Sequence, residues 1–317
     1  AIIHQFSPDD TDLYLADKFL NITPKIEEYL RKKIERVYSD EARTGIFEED
    51  NPFLEMISDD LLETSVAVAN RWKEEFVVSE NQKTNDLVFI QFSKEGVDHF
   101  AFLRIVLRET LTHLGGDVDN PIKLTQNNLP GFGTGADEAL VINLQSCKYH
   151  LIEKRIKYNG TFLNYFSENL LQAQPKISPK KSIKALEKTA QRIAESFNTD
   201  DFQFQSKVKS AIFNHIEEEN KLSPEKLADD LFDDNLTARL SFIDQVKEAI
   251  PEPVTFEEID ASRQLKKFEN QKLSLSNGIE LIVPNSVYED AESVEFILND
   301  NGTYSILIKN IEDIQSK

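Results

Sequence analysis

The chain has 317 residues, 40% of them hydrophobic and 21 of them Phe, which gives room for several packed cores and excludes a disordered polymer. No apolar run approaches the length of a membrane span, the N-terminal Ala1-Ile-Ile-His-Gln-Phe6 lacks the regions of a signal peptide, and the single Cys147 excludes an internal disulfide and a cysteine-based zinc site; the expected compartment is the cytoplasm. A net charge of -20 argues against strong nucleic-acid binding through overall charge.

Residues 2–6 predict a first strand. Pro24 opens a helix to about residue 37, with Ile26, Leu30, Ile34 and Val37 on its buried face. Residues 38–50 read as a polar connection anchored at Gly45-Ile-Phe47. In a helix predicted over 59–77, Leu62, Val66, Ala69, Trp72 and Phe76 recur every three or four residues, which makes Trp72 a core residue and not a ligand platform. Two Val-, Ile- and Phe-rich runs follow, 87–92 and 99–107, joined by a Ser93-Lys-Glu-Gly96 turn. In the second run Phe100, Phe102 and Arg104 alternate imperfectly with Ala101, Leu103 and Ile105. That predicts a sheet covered on both faces, the second by helices. Strands over 139–144 and 151–158 are expected to complete a mostly antiparallel sheet.

Residues 115–137 are dense in loop signals. Gly131-Phe-Gly-Thr-Gly135 lacks the Gly-Lys-Ser/Thr and the dinucleotide spacing of phosphate cradles, so it predicts a mobile surface loop and not a nucleotide site. Asn159-Gly160 predicts a turn. A helix is expected from Thr161, with Phe162, Tyr165, Phe166 and Leu170 on one face. These elements make an α+β domain over 1–174.

Ser178-Pro179 has the form of an N-cap followed by a first-turn proline. The helix behind it buries Ile183, Leu186, Ala190, Ile193 and Phe197. It turns Lys180, Lys181, Lys184, Lys188 and Arg192 outward, the last four as a stripe. Helices over 204–218, 224–232 and 237–250 follow, with Ser223-Pro224 repeating the cap signature and Pro251-Glu-Pro253 ending the series; 175–253 is read as a helical middle domain. In a small α+β domain over 254–317, a basic helical turn over 262–268 carries Arg263, Lys266 and Lys267. Four short strands over 273–275, 279–283, 293–298 and 304–309 are expected to form one small sheet. Asn277-Gly278 and Asp300-Asn301-Gly302 supply its turns. The fold class is α+β: a mostly antiparallel sheet with flanking helices, a helical middle region and a small C-terminal antiparallel sheet.

Charge is unevenly spread. Residues 147–192 hold ten Lys/Arg against three acids, and 217–260 hold fourteen acids against four basic residues. The acidic helices are candidates to fold back on the basic one and neutralise part of its stripe. Chemistry-bearing motifs are missing from the sequence. The five histidines, His4, His99, His113, His150 and His215, form no metal-binding spacing, and there is no Gly-x-Ser-x-Gly elbow. The expectation is no enzyme, no cofactor and no metal. A hydrolase hidden among the carboxylates would show itself by divalent-metal dependence.

Several stretches carry a resemblance in their order along the chain. They are Ile3-His4-Gln5-Phe6, Arg36-Val-Tyr38 with Gly45-Ile-Phe47, and Tyr158-Asn-Gly-Thr-Phe-Leu-Asn-Tyr-Phe-Ser-Glu-Asn-Leu170. Arg263-Gln-Leu-Lys-Lys-Phe268, Asn277-Gly-Ile-Glu-Leu281 and Tyr304-Ser-Ile-Leu-Ile-Lys309 complete them. Together they resemble the bacterial 37-kDa nucleoid-associated protein family over nearly the full length. The resemblance implies a cytoplasmic, nucleoid-located protein that binds double-stranded DNA with little sequence preference. It also implies a DNA-transacting protein partner, such as a type II topoisomerase, and no catalytic site.

The DNA-contact candidates come from local charge: Lys154, Arg155, Lys157, Lys180, Lys181, Lys184, Lys188, Arg192, Arg263, Lys266 and Lys267. The alternative reading is a protein-interaction or assembly module recruited to the nucleoid by such a partner, without direct DNA contact. In that reading the acidic 217–260 segment meets a basic partner or a second copy in a homodimer. No membrane partner is expected.

Overall fold

Ten-residue runs of Val, Ile, Leu and Phe on either side of Glu95-Gly96 pair as the central hairpin of the first part of the chain. Glu95 and Gly96 both take positive φ, 56° and 80°, which is the two-residue turn that matches strand twist. The computed structural model describes residues 1–317 apart from 10, 79–81, 114–121, 159, 198–201, 257, 258, 260, 316 and 317. The chain divides into two compact units, Ala1–Ser178 and Pro179–Lys317.

In chain order, the first unit contains β1 (Ile2–Ser7), β2 (Asp12–Tyr14), α1 (Pro24–Glu35), β3 (Arg43–Ile46), α2 (Pro52–Glu55) and α3 (Leu61–Phe76). Then come β4 (Asn85–Lys94), β5 (Val97–Val106), β6 (Arg108–His113), β7 (Ile122–Asn128), β8 (Glu138–Asn143), β9 (Lys148–Ile152), β10 (Ile156–Tyr158) and β11 (Thr161–Leu163). Seven strands form one antiparallel sheet in the order β2-β1-β4-β5-β8-β9-β3.

Register sorts the side chains onto two faces. Phe89 pairs with Phe102, and their stacked rings lie 4.8 Å apart. With Leu87, Phe100, Leu140 and Ile142 they bury one face against α3, where Trp72 is fully buried as expected. Val88, Ile90, Ala101, Leu103, Ile105 and Val141 bury the other against Leu30 and Ile34 of α1 and Val37 just beyond it. Both faces of the sheet are thus covered.

Several local expectations change. The polar connection 38–50 contains β3, which adds an edge strand to β9. There Gly45 lies against the Tyr149 ring where any Cβ would overlap it. The strand expected over 151–158 splits, because β10 leaves the sheet and pairs with β11. Residues 161–163 are therefore extended, and only Phe166–Leu170 winds, as a single π-helical turn. Gly160 supplies the positive φ of that turn, and Asn159 lies outside the described residues.

Part of the loop expected over 115–137 is β7, paired with β6; residues 115–121 lie outside the described residues. The Gly131–Gly135 loop, expected mobile, is pinned. The buried Lys33 amine donates to the Gly131 carbonyl at 2.9 Å and to the Thr134 carbonyl, and the Tyr29 hydroxyl donates to the Pro130 carbonyl at 2.9 Å. Carbonyls converging on an amine have the opposite polarity to a phosphate cradle, which aims N–H groups at its ligand.

His4 ties β1 to α3. The Ala16 N–H donates to its Nδ1 at 3.0 Å, which leaves Nε2 to donate to the Ser65 hydroxyl at 3.0 Å. Burial lowers the pKa of this ring below its ordinary 6.5. Protonation is then favoured in the unfolded chain, so His4 costs stability as pH falls through 6.5 toward the folded value. Unit 1 is expected to unfold at lower temperature near pH ~5 than near pH ~7.5, with His4→Gln reducing that difference in a thermal melt. An equal pH dependence in both chains would show that the difference arises elsewhere.

The second unit contains α4 (Pro179–Ser196), α5 (Phe202–Glu219), β12 (Lys221–Leu222), α6 (Pro224–Leu231), α7 (Leu236–Ala249), β13 (Val254–Thr255) and α8 (Ser262–Phe268). Two hairpins follow, β14 (Asn270–Ser274) with β15 (Glu280–Pro284) and, after α9 (Asn285–Tyr288), β16 (Val294–Leu298) with β17 (Tyr304–Ile308). The four C-terminal strands form two separate hairpins, where one sheet was expected. A single apolar cluster runs from Ile183 through Ile212, Leu227 and Phe242 to Phe268, so α4 to α8 share one core. Ser223 precedes α6 but makes no side-chain cap; its hydroxyl donates to Glu225 instead, at 2.8 Å.

Candidate nucleic-acid interface

The eighteen residues of α4 bury Ile183, Leu186, Ala190 and Ile193, with Phe197 just beyond it packed in part against the same core. The opposite side is therefore fixed toward water by the helical period. Lys180, Lys181, Lys184, Lys188 and Arg192 are all exposed there. Lys181, Lys184 and Lys188 make no ion pair or hydrogen bond among the described residues. Arg192 donates to the Gln245 side chain of α7. Among the described residues no carboxylate of the acidic helices pairs with Lys181, Lys184 or Lys188, and α7, which packs on α4, bonds to the stripe through a neutral amide.

On the flank of α4, α8 brings a second pair of cations. The Lys267 amine lies 3.9 Å from Glu187 of α4 and 4.3 Å from the centre of the Phe268 ring. Lys266 is exposed and makes no ion pair or hydrogen bond among the described residues. The backbone of Arg263 belongs to α8, but its side chain lies outside the described residues. From Lys181 to Arg192 the stripe runs about 16 Å along the helix, a length over which a duplex presents about ten phosphate charges.

The remaining candidates lie in unit 1 and are engaged locally. Lys154 pairs with Asp137 at 3.0 Å, the Arg155 guanidinium donates to the Phe162 carbonyl, and Lys157 is half-buried in β10. The basic segment 147–192 is therefore two features in two units, and the unengaged charge is in the second.

The acidic helices use much of their own basic complement. Lys247 pairs with Glu225 at 2.7 Å, Arg239 with Asp229 at 3.0 Å and Lys207 with Asp233 at 3.3 Å, and Lys226 pairs with Glu219. Hydrogen bonds from Lys247 and Ser223 hold the Glu225 carboxyl down to about 2. His215 is buried and reaches Asp230 at 2.7 Å. No group of three or more His, Cys, Asp or Glu residues placed to hold a metal occurs among the described residues. No helix among them is long and apolar enough to cross a membrane.

Sequence reasoning found the α4 stripe from its spacing. It missed the Lys33 clamp, although Lys33 falls on the buried face of α1 by spacing, three residues after Leu30. It also missed the exposed β6–β7 hairpin, whose signal was the alternation in Thr110-Leu-Thr-His113 and Ile122-Lys-Leu-Thr125. A family model described as nucleoid-associated protein YejK matches residues 2–314, essentially the whole chain. No curated protein matches the chain.

Proposed function

The chain belongs to this bacterial family of nucleoid-associated proteins, and from that premise we propose that it binds double-stranded DNA directly, in the cytoplasm, without sequence preference. The contact surface is the outward face of α4, extended by Lys266 and Lys267 of α8. One observation carries the reading: three adjacent lysines on one helix face stand exposed and, among the described residues, unpaired in a chain of net charge -20. Cations left unpaired beside so many carboxylates are available to replace the counterions of a phosphate backbone. They supply point charges with no planar base-reading group, so they position a duplex without reading it. In this reading the protein carries out no catalysis.

The test is binding to a labelled random-sequence duplex across a salt series. Reversing Lys181, Lys184 and Lys188 to Glu is expected to weaken binding at least roughly tenfold at low salt and to flatten the log–log salt slope by about one per lysine. Binding and slope unchanged by the triple reversal would remove α4 from the interface. No binding by the wild-type chain at low salt would favour the second reading, recruitment by a DNA-associated protein partner. The exposed carboxylates of α6 and α7 would be the surface offered to that partner.

A further inference from the structure

The two C-terminal hairpins of unit 2 stay separate, so each strand keeps an open edge among the described residues. In the first hairpin the Leu275 N–H donates to the Ile279 carbonyl at 2.8 Å, and Leu273 and Gln271 follow in register as the residues that bond to β15. Antiparallel pairs alternate, so the N–H and C=O of Lys272 and Ser274 point away from β15. Among the described residues these groups have no backbone partner. A row of unpaired backbone groups on an edge is a template for a further strand.

That edge is one wall of a groove of about 890 Å³. Every residue from 272 to 277 lines it, whereas the other side of the hairpin contributes only Ile279 and Leu281, so the groove runs along β14. The opposite wall is the apolar face of the second hairpin, where Phe296, Tyr304, Ile306 and Ile308 share one side. The floor is the side of α5 that carries Phe202 and Lys209. These surfaces are fixed to one another. The Phe202 ring meets Phe296 and Tyr304 edge to face, with centres 5.1 and 5.2 Å apart, and the Gln271 amide ties β14 to the Ser206 carbonyl of α5 at 3.1 Å. The apolar surface stays open to water: Ile279 is 50% exposed, Tyr304 53% and Ile308 47%. In a chain with 56 acids against 36 Lys/Arg, the described lining holds Lys209 and Lys272 and no carboxylate. Neither lysine makes an ion pair or hydrogen bond among the described residues.

We propose that this groove binds an extended segment of a partner protein in which apolar residues alternate with carboxylates, and that the segment adds to β14 as a third strand. Strand addition takes its affinity from main-chain hydrogen bonds and its specificity from sites for alternate side chains. The outward groups of Lys272 and Ser274 supply the first. Phe296, Tyr304 and Ile306 receive the apolar side chains, and Lys209 and Lys272 meet the carboxylates. Because the walls are preformed, binding orders little of the protein. A single nucleic-acid strand would use the lysines and the aromatic rings but leave the strand edge unpaired, which makes it the weaker occupant. The proposal does not rest on duplex contact by α4, whose lysines lie outside the groove lining.

The test is fluorescence anisotropy of the full chain with a labelled peptide alternating Val and Glu, run beside its Val–Lys counterpart and an oligothymidylate. The Val–Glu peptide is expected to bind in the micromolar range and more weakly as salt rises, with the Val–Lys peptide at least roughly tenfold weaker. Ser274→Pro removes an outward N–H that β15 does not use, a change an edge strand tolerates, and is expected to weaken binding at least roughly fivefold. Lys209→Glu with Lys272→Glu is expected to weaken it at least roughly tenfold. Both variants should keep the wild-type circular dichroism, and where one does not, the other decides. A wild-type chain that ignores the Val–Glu peptide overturns the proposal, as does equal binding of the Val–Lys peptide or full binding by a folded variant. Oligothymidylate bound in place of the peptide, and lost on the double reversal, would assign the groove to a nucleic-acid strand instead.

Discussion

Replacing Arg104 by Met is expected to destabilise unit 1 by about 3–5 kcal/mol, the cost of leaving a buried charge without its partner. Arg104 and Glu138 lie inside the unit, with side chains 7% and 0% exposed. The guanidinium Nε donates to Glu138 Oε2 at 2.6 Å, and a second nitrogen donates to the Asn85 amide oxygen at 2.8 Å. The Tyr165 hydroxyl donates to the same Glu138 oxygen and accepts from the Trp72 indole at 3.0 Å. One polar chain thus links β4, β5 and β8 to α3 and to the turn before the π-helical segment. Burial disfavours the charge on Arg104, yet Glu138 outweighs it and holds the pKa above its ordinary value. The other Glu138 oxygen has no hydrogen-bond partner among the described residues, so the carboxylate depends on what reaches Oε2.

Met at position 104 would fill much of the space and abandon that carboxylate. Replacing Glu138 by Met as well removes the orphaned charge, so the double variant is expected to recover more than half of the loss. Trp72 is the one tryptophan of the chain, so its fluorescence in a denaturant titration reads unit 1 by itself. An unchanged midpoint for Arg104→Met, or a double variant less stable than the single one, would contradict this account.

The polar chain illustrates what the sequence could and could not show. Arg104 broke the alternation of an otherwise apolar strand, a visible sign that something buried would have to meet it. Glu138 lies 34 positions away and gave no sign of being the partner. The same division holds elsewhere. The long helices α1, α3 and α4 were legible because apolar residues recur at the helical period over three or more turns. The stripe of α4 was legible as the complement of that pattern.

Short elements were decided by partners distant in sequence. Arg43-Thr-Gly-Ile46 has no strand pattern and becomes β3 only because β9 offers an open edge. Phe162, Tyr165, Phe166 and Leu170 have helical spacing, but pairing of Thr161–Leu163 with β10 extends the first of them. In β6 and β7 the period of two was present, but the surrounding Gly, Asn and Pro residues read as loop. Whether a lysine is unpaired is likewise a tertiary fact: Lys154 found Asp137, Lys267 found Glu187, and Lys181, Lys184 and Lys188 found no partner among the described residues.

Gln271→Leu is expected to cost unit 2 about 2–4 kcal/mol, because it leaves buried acceptors without their donor. Gln271 is 1% exposed in β14. Its amide nitrogen donates to the Ser206 carbonyl at 3.1 Å, to the Asn285 side-chain oxygen at 2.8 Å and to the Ser210 hydroxyl at 3.3 Å. The Asn285 amide in turn donates to the Phe268 carbonyl at the end of α8. This small polar joint ties the first C-terminal hairpin to α5 and α8. Leucine has the volume but no donor, so the hairpin should loosen first, with faster amide exchange in β14 and β15 than in α4.

The consequence for DNA follows from which lysines the joint holds. It anchors α8, with Lys266 and Lys267, and makes no bond to the α4 stripe. Under conditions where the variant remains folded, duplex affinity is expected to fall only a few-fold, with the salt slope reduced by at most about two, against about three for the α4 reversal. Loss of binding as complete as that of the α4 reversal would mean that α8, and not α4, is the principal contact. Exchange in β14 and β15 at the wild-type rate would mean that the joint holds nothing.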